Sequence, residues 1–226
     1  GHMISIAGIN IETPLALAPM AGVTDVAFRT ICREQGAGLT CTEMVSAKAL
    51  CYQDKKTVPL LQLGEGEHPA AAQIFGSDPV CMQEGAAIAH EVSGADLIDI
   101  NMGCPVPKVA NSGDGSGLMR DPDKAVKVLE AVIRGAGCPV TVKFRLGWDK
   151  GSINCVEFAK AMEQAGVTAA ETAMLGDKLL TDMLGANLAG VLALMVEPAG
   201  GPKGAWNRVL HALQAPFKAV CRRRHT

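Results

Sequence analysis

No two cysteines in this chain are spaced CxxC, and no cysteine–histidine set has the spacing of a zinc site. The eight cysteines stand at 32, 41, 51, 81, 104, 138, 155 and 221. Most fall inside apolar helix or strand patterns, where a free thiol packs as a small hydrophobe. That usage points to a reducing, cytoplasmic setting without a disulfide framework or a metal site. Long apolar runs are missing too. The longest candidate, Ala186 to Val196, is short and contains Gly190, so no membrane span is expected. A charge excess is also absent: the net charge is −2, which does not mark a nucleic-acid binder in bulk. Arg222-Arg223-Arg224 reads as a solvated basic tail. The start carries no signal-peptide pattern, and Gly1-His2-Met3 reads as a tag remnant left outside the fold.

What the 226 residues do contain is 48% hydrophobic positions, enough for one sizeable core or two small ones. Short apolar runs alternate with longer amphipathic ones. Strands are predicted at Leu15–Met20, Leu39–Val45, Ala71–Gly76, Leu97–Gly103 and Val140–Leu146. Helices are predicted at Asp25–Gln35 behind a Thr24 cap, from Asp78-Pro79, from Asp121-Pro122 through Arg134, and at Asn154–Gln164. This alternation is the pattern of a parallel sheet. It fits the opening of an α/β fold of the (β/α)₈ TIM-barrel type, incomplete or with a divergent C-terminal part. A doubly wound sheet is the alternative, but no strand-to-helix turn carries GxGxxG.

Strand parity favours the barrel. Asp99 and Asn101 share one face of their strand, while Ile98, Ile100 and Met102 share the other. Lys143 and Arg145 likewise lie opposite Val142 and Phe144. Gln73 and Glu43 sit on neighbouring strands. A sheet covered by helices on both faces would bury these polar groups without obvious partners. A barrel gathers them at one mouth, the C-terminal ends of the strands.

Cys104 follows a strand end, between Gly103 and Pro105. It reads either as a structural thiol or as a reactive one near the cations Lys143 and Arg145, which favour thiolate. Those cations either pair with Glu43 or Asp99 or meet an anionic ligand. A reduced flavin, with negative charge near N1, suits a lysine. The glycine-rich stretch Asn111–Gly117 reads as a mobile loop beside the site.

The blocks LAPMAGVTDVAFR (17–29), QIFGSDP (73–79), IDINMGCPVPKV (98–109), GSGLMRDP (115–122) and PVTVKFRLGW (139–148) resemble the tRNA-dihydrouridine synthases, in particular the bacterial type. The NMGCP motif separates this family from dihydroorotate dehydrogenase, a related flavin barrel, and so from a flavin oxidoreductase acting on a small pyrimidine. The resemblance runs over residues 5–168. It implies a catalytic barrel domain at 4–168 comprising the first five β/α units, and an enzyme that uses FMN and NADPH to reduce uridines of tRNA. In that family a hydride passes from the flavin to C6 of the uracil, and the cysteine of NMGCP protonates C5. Matched residue by residue, the resemblance makes Cys104 the general acid. Pro19, Met20 and Ala21 would line the flavin, Gln73 and Lys143 would bind it, and Asn101 would hold the uracil. Arg145 stands as a further substrate-binding candidate through its charge.

After Ala169 the resemblance stops. The histidine strand end, the HGRTR-like stretch and the NGD- and GR-type turns expected to grip the FMN phosphate do not occur in 169–226. That segment reads as divergent, truncated or frame-shifted, with amphipathic helices drawn at Asp177–Leu184 and Trp206–Leu213 and a strand or buried helix at Leu188–Val196. Open barrel edges invite pairing with another chain, so a homo-oligomer is expected unless sedimentation shows a compact monomer. The alternative to an active synthase is an inactive synthase-derived fragment acting as an RNA-binding or interaction protein.

Overall fold

The computed structural model describes residues 4–13, 15–149 and 151–165, and the backbone of 173–176 and 192–195. The chain opens with a two-stranded antiparallel hairpin, β1 (Ile4–Ile6) and β2 (Ile9–Ile11). Ala7 and Gly8 turn it, both at positive φ. This hairpin was not expected from the sequence, although ISIAGINI alternates around a two-residue turn.

Behind it lies a parallel sheet. Its strands are β3 (Thr40–Cys41), β4 (Val45–Ser46), β5 (Ala70–Phe75), β6 (Leu97–Met102) and β7 (Val140–Phe144). The order is β3-β5-β6-β7, with β4 also on β5. The helices that alternate with them are α1 (Val26–Glu34), α2 (Ala47–Cys51), α3 (Pro79–Ser93), the short α4 (Pro107–Ala110), α5 (Pro122–Ala136) and α6 (Cys155–Gln164). Asp78 and Asp121 cap α3 and α5, accepting from the backbone N–H of Cys81 and Lys124, with proline in each first turn.

Two sequence expectations change here. Leu15–Met20 is not a named strand: it makes one parallel bridge, Ala16 to Leu39, with Leu17 N–H donating to the Leu39 carbonyl at 2.9 Å. It lies at the sheet edge, and Pro19 has no N–H to extend the ladder. The expected strand 39–45 is split in two, because the Gln73 N–H donates at 3.0 Å to the Thr42 hydroxyl rather than to a strand carbonyl. Thr24 also does not cap α1. Its hydroxyl is engaged with the Met20 backbone, and Asp25 accepts the Phe28 N–H instead.

Ile98, Ile100 and Met102 are fully buried, and they share one core with Val128, Leu129 and Val132 of α5 and with Met82, Ala86 and Ala89 of α3. Each buried Ile, Leu, Val or Met side chain here contributes about 1.5–3 kcal/mol. The opposite face carries no helix among the described residues. At its lower end Cys41, Ala71 and Leu97 pack against Ile9 of the hairpin. Helices outside, a plug below and polar side chains above are the layers of a (β/α)₈-type barrel, of which the described sheet is the opening part. Two further strands, β8 (Ala173–Gly176) and β9 (Leu192–Met195), pair parallel to each other. The strand option at 188–196 matches β9 in part. The helices expected at 177–184 and 206–213 lie outside the described residues.

Candidate active site at the strand ends

Parallel register places side chains of neighbouring strands side by side. Gln73, Asp99 and Thr141 are register partners across β5, β6 and β7, and Asn101 is the partner of Lys143. All of these lie on the helix-free face. Gln73, Asp99 and Asn101 are buried; Thr141 and Lys143 are partly so.

Hydrogen bonds join them into a row. The Thr141 hydroxyl donates to Asp99 Oδ1 at 2.6 Å, and Gln73 Nε2 donates to Asp99 Oδ2 at 2.6 Å. Asn101 Nδ2 donates to Gln73 Oε1 at 3.0 Å. Asn101 Oδ1 accepts from the backbone N–H of Gly103 at 3.1 Å and of Cys104 at 2.8 Å. The side chain at the end of the strand therefore folds back to shape the turn that carries the thiol. Burial pushes the Asp99 carboxyl above its ordinary range; the Thr141 and Gln73 bonds and the Lys143 charge pull it back only partly. Burial likewise pushes the Cys41 thiol well up, marking it as structural.

Cys104 is half-buried, and its carbonyl accepts the Ser116 N–H at 3.0 Å. Gly115 adopts φ +53°, and a Cβ there would come within 2.8 Å of that carbonyl and 3.1 Å of Cys104 Cβ. Residues Gly115–Arg120 form a 3₁₀ turn in which Gly115 to Met119 are buried. The second half of the glycine-rich stretch is thus packed beneath Cys104, which corrects the expectation of a mobile loop. The Ser116 hydroxyl is buried with no hydrogen-bond partner among the described residues.

Pairing of Lys143 or Arg145 with Glu43 or Asp99 was one expectation. Among the described residues neither cation forms a salt bridge, and Glu43 instead accepts the Gly22 N–H. Lys143 acts on Asp99 through its charge alone. Arg145 is exposed, with its stem against Gly103. Pro19, Met20 and Ala21 run on from the edge bridge at Ala16; Pro19 is half-buried, and Met20 and Ala21 are exposed. Thr141 was missed by sequence reasoning; its signal was parity, since it shares a face with Lys143. No group of three or more potential metal ligands occurs among the described residues.

Comparison with known families bears on this arrangement. The dihydrouridine synthase family model matches residues 16–170, which contain every residue of the row and Cys104. The chain belongs to the dihydrouridine synthase family. The tRNA-dihydrouridine synthase B of Pseudomonas aeruginosa is 44% identical over 168 residues, which are 74% of this chain and 50% of that relative. The probable tRNA-dihydrouridine synthase of Rhizobium leguminosarum is 43% identical over 159 residues, 70% of this chain and 50% of that relative. The synthase B of Proteus vulgaris is 43% identical over 160 residues, 71% and 49%. The chain thus spans about half the length of the curated relatives it matches. A second family model, HAD-hydrolase-like, matches residues 153–201, a stretch that includes α6, β8 and β9. Among the described residues no helix is long and apolar enough to cross a membrane.

Proposed function

We propose that this chain carries the catalytic face of an FMN-dependent tRNA-dihydrouridine synthase, an oxidoreductase of the cytoplasm that reduces the C5–C6 bond of tRNA uridines with NADPH. The observation that carries the reading is the placement of Cys104. Its backbone is held from one side by Asn101 and from the other by Ser116, at the end of a strand whose polar face continues to Lys143.

The donor set suits a flavin. Gln73 keeps one amide N–H beyond its bond to Asp99, and the Lys143 ammonium has no carboxylate partner among the described residues. Both donors favour an acceptor that gains negative charge, as the N1–C2 edge of a flavin does. Pro19, Met20 and Ala21 offer a surface for the ring. Held there and reduced by NADPH, FMN would supply the hydride chemistry of the reduction. Cys104 holds the proton that completes the reduction at C5. Asn101 retains only one free N–H, so its share in holding the uracil is a single donated bond. Arg145, exposed beside Gly103, is the candidate contact for a tRNA phosphate in this reading.

The test is Cys104→Ala. FMN binding, read from flavin absorbance, is expected to persist, while dihydrouridine formation falls at least about a hundredfold, the usual range for losing a general acid. Undiminished turnover would remove Cys104 from the chemistry. A second reading, an inactive synthase-derived fragment that binds RNA or another protein, is favoured by the absence of the expected FMN-phosphate motifs from 169–226. A protein that stays colourless with added FMN would select it.

A further inference from the structure

The hydrogen-bond row has a direction, set by an acceptor at one end, Asp99, and by the backbone donors of Gly103 and Cys104 at the other. We propose that Asp99 is a positioning residue that orients two amide side chains in series and, through them, the backbone turn carrying Cys104. The inference rests on the proposed function for its catalytic consequence, but not for its structural one.

An ionised carboxylate only accepts hydrogen bonds, whereas a glutamine or asparagine amide has a donating and an accepting end and can flip. Asp99 receives two donors at 2.6 Å. Gln73 must therefore turn Nε2 toward it, which leaves Oε1 on the far side. There Oε1 meets Asn101, which must present Nδ2, at 3.0 Å. Asn101 Oδ1 is then directed away from Gln73, toward the N–H groups of Gly103 and Cys104. Reversing either amide would set N–H against N–H at one link and oxygen against oxygen at another. Burial of Gln73, Asp99 and Asn101 leaves little water to rescue a reversed link.

Thr141 shares Asp99 but lies outside the relay, because its hydroxyl can donate or accept. Lys143, register partner of Asn101, supports the ionised form of Asp99 by its charge. Asp99 is engaged by Thr141 and Gln73, and its influence reaches the thiol through Gln73 and Asn101.

Amide hydrogen exchange at Gly103 and Cys104 tests this without any cofactor. In Asp99→Asn the charged, acceptor-only end of the row is lost and the new amide can present either end to Gln73, so the row is anchored only by the Gly103 and Cys104 N–H groups. Exchange at the two amides is expected to rise about tenfold, the scale of one lost hydrogen bond, with α5 amides unchanged. Thr141→Val removes a donor without touching the relay and is expected to leave both rates within about threefold. Gln73→Met breaks the middle link and is expected to mimic Asp99→Asn, which keeps the inference testable if that variant folds poorly. In the active holoenzyme, dihydrouridine formation by Asp99→Asn should lose about tenfold in kcat with tRNA KM unchanged. Exchange rates in both Asp99→Asn and Gln73→Met equal to the parent would overturn the proposal. Faster exchange in a protein that never forms dihydrouridine would leave the relay standing and remove the proposed function.

Discussion

Arg29 Nε donates to Glu67 Oε1 at 2.6 Å, and the two side chains are only 1% and 2% exposed. The pair closes α1 onto the loop before β5. Every other group around it is engaged. Arg29 also reaches the carbonyls of Thr24 and Gln62, while Glu67 accepts from Thr40 and the Gly64 N–H. A buried pair of this kind holds its geometry only while both partners remain. Arg29→Ala should therefore cost about 3–5 kcal/mol, because it strands a buried carboxylate. Chemical denaturation measures it, and a loss under about 1 kcal/mol would show that Glu67 finds other solvation.

The same pair makes a pH prediction. Burial pushes the Glu67 carboxyl up. The bonds from Arg29, Gly64 and Thr40, with the Arg29 charge, outweigh it and leave the carboxyl below its ordinary 4.5. A lowered native pKa gives stability that is present above 4.5 and lost as the pH falls through the native value. Glu67→Gln should flatten that part of the acid-denaturation curve. An unchanged curve would place the acid transition elsewhere.

Asp99 has the opposite sign. Its native carboxyl titrates above the ordinary 3.8, chiefly because it is buried, so the folded state holds the proton more tightly than the unfolded chain. Its contribution is present below 3.8 and lost as the pH rises through the native value. Relative to Asp99→Asn, the parent should lose stability over that window. Parallel stability–pH curves for the two proteins would contradict the shift.

Gly115→Ala should damage the site locally. The residue sits at φ +53°, and its new Cβ would crowd the Cys104 carbonyl at 2.8 Å. A strain of about 1–3 kcal/mol is expected, partly relieved by moving the Cys104 turn. Under the proposed function, dihydrouridine formation should fall more than the melting temperature suggests. Full activity in a destabilised variant would separate Gly115 from the thiol.

Much of this protein was determined by sequence alone, where the signal is local. The proline-backed caps at Asp78 and Asp121 were legible because a cap needs only its own first turn. The two faces of 97–102 were legible because strand side chains alternate by geometry, with Ile98, Ile100 and Met102 against the helices and Asp99 and Asn101 opposite. The family was legible because its blocks are contiguous. What tertiary structure decided is how the ends and links are used. Thr24 could cap a helix in isolation, but its hydroxyl is taken by Met20. Residues 39–45 could form one strand, but Gln73 bonds the Thr42 side chain and breaks the ladder. Gly115 and Ser116 read as a loose loop until their packing under Cys104 is known. The directions of the Gln73 and Asn101 amides, which have no sequence signal at all, follow from the acceptor that register sets at one end and the backbone N–H groups of the turn at the other.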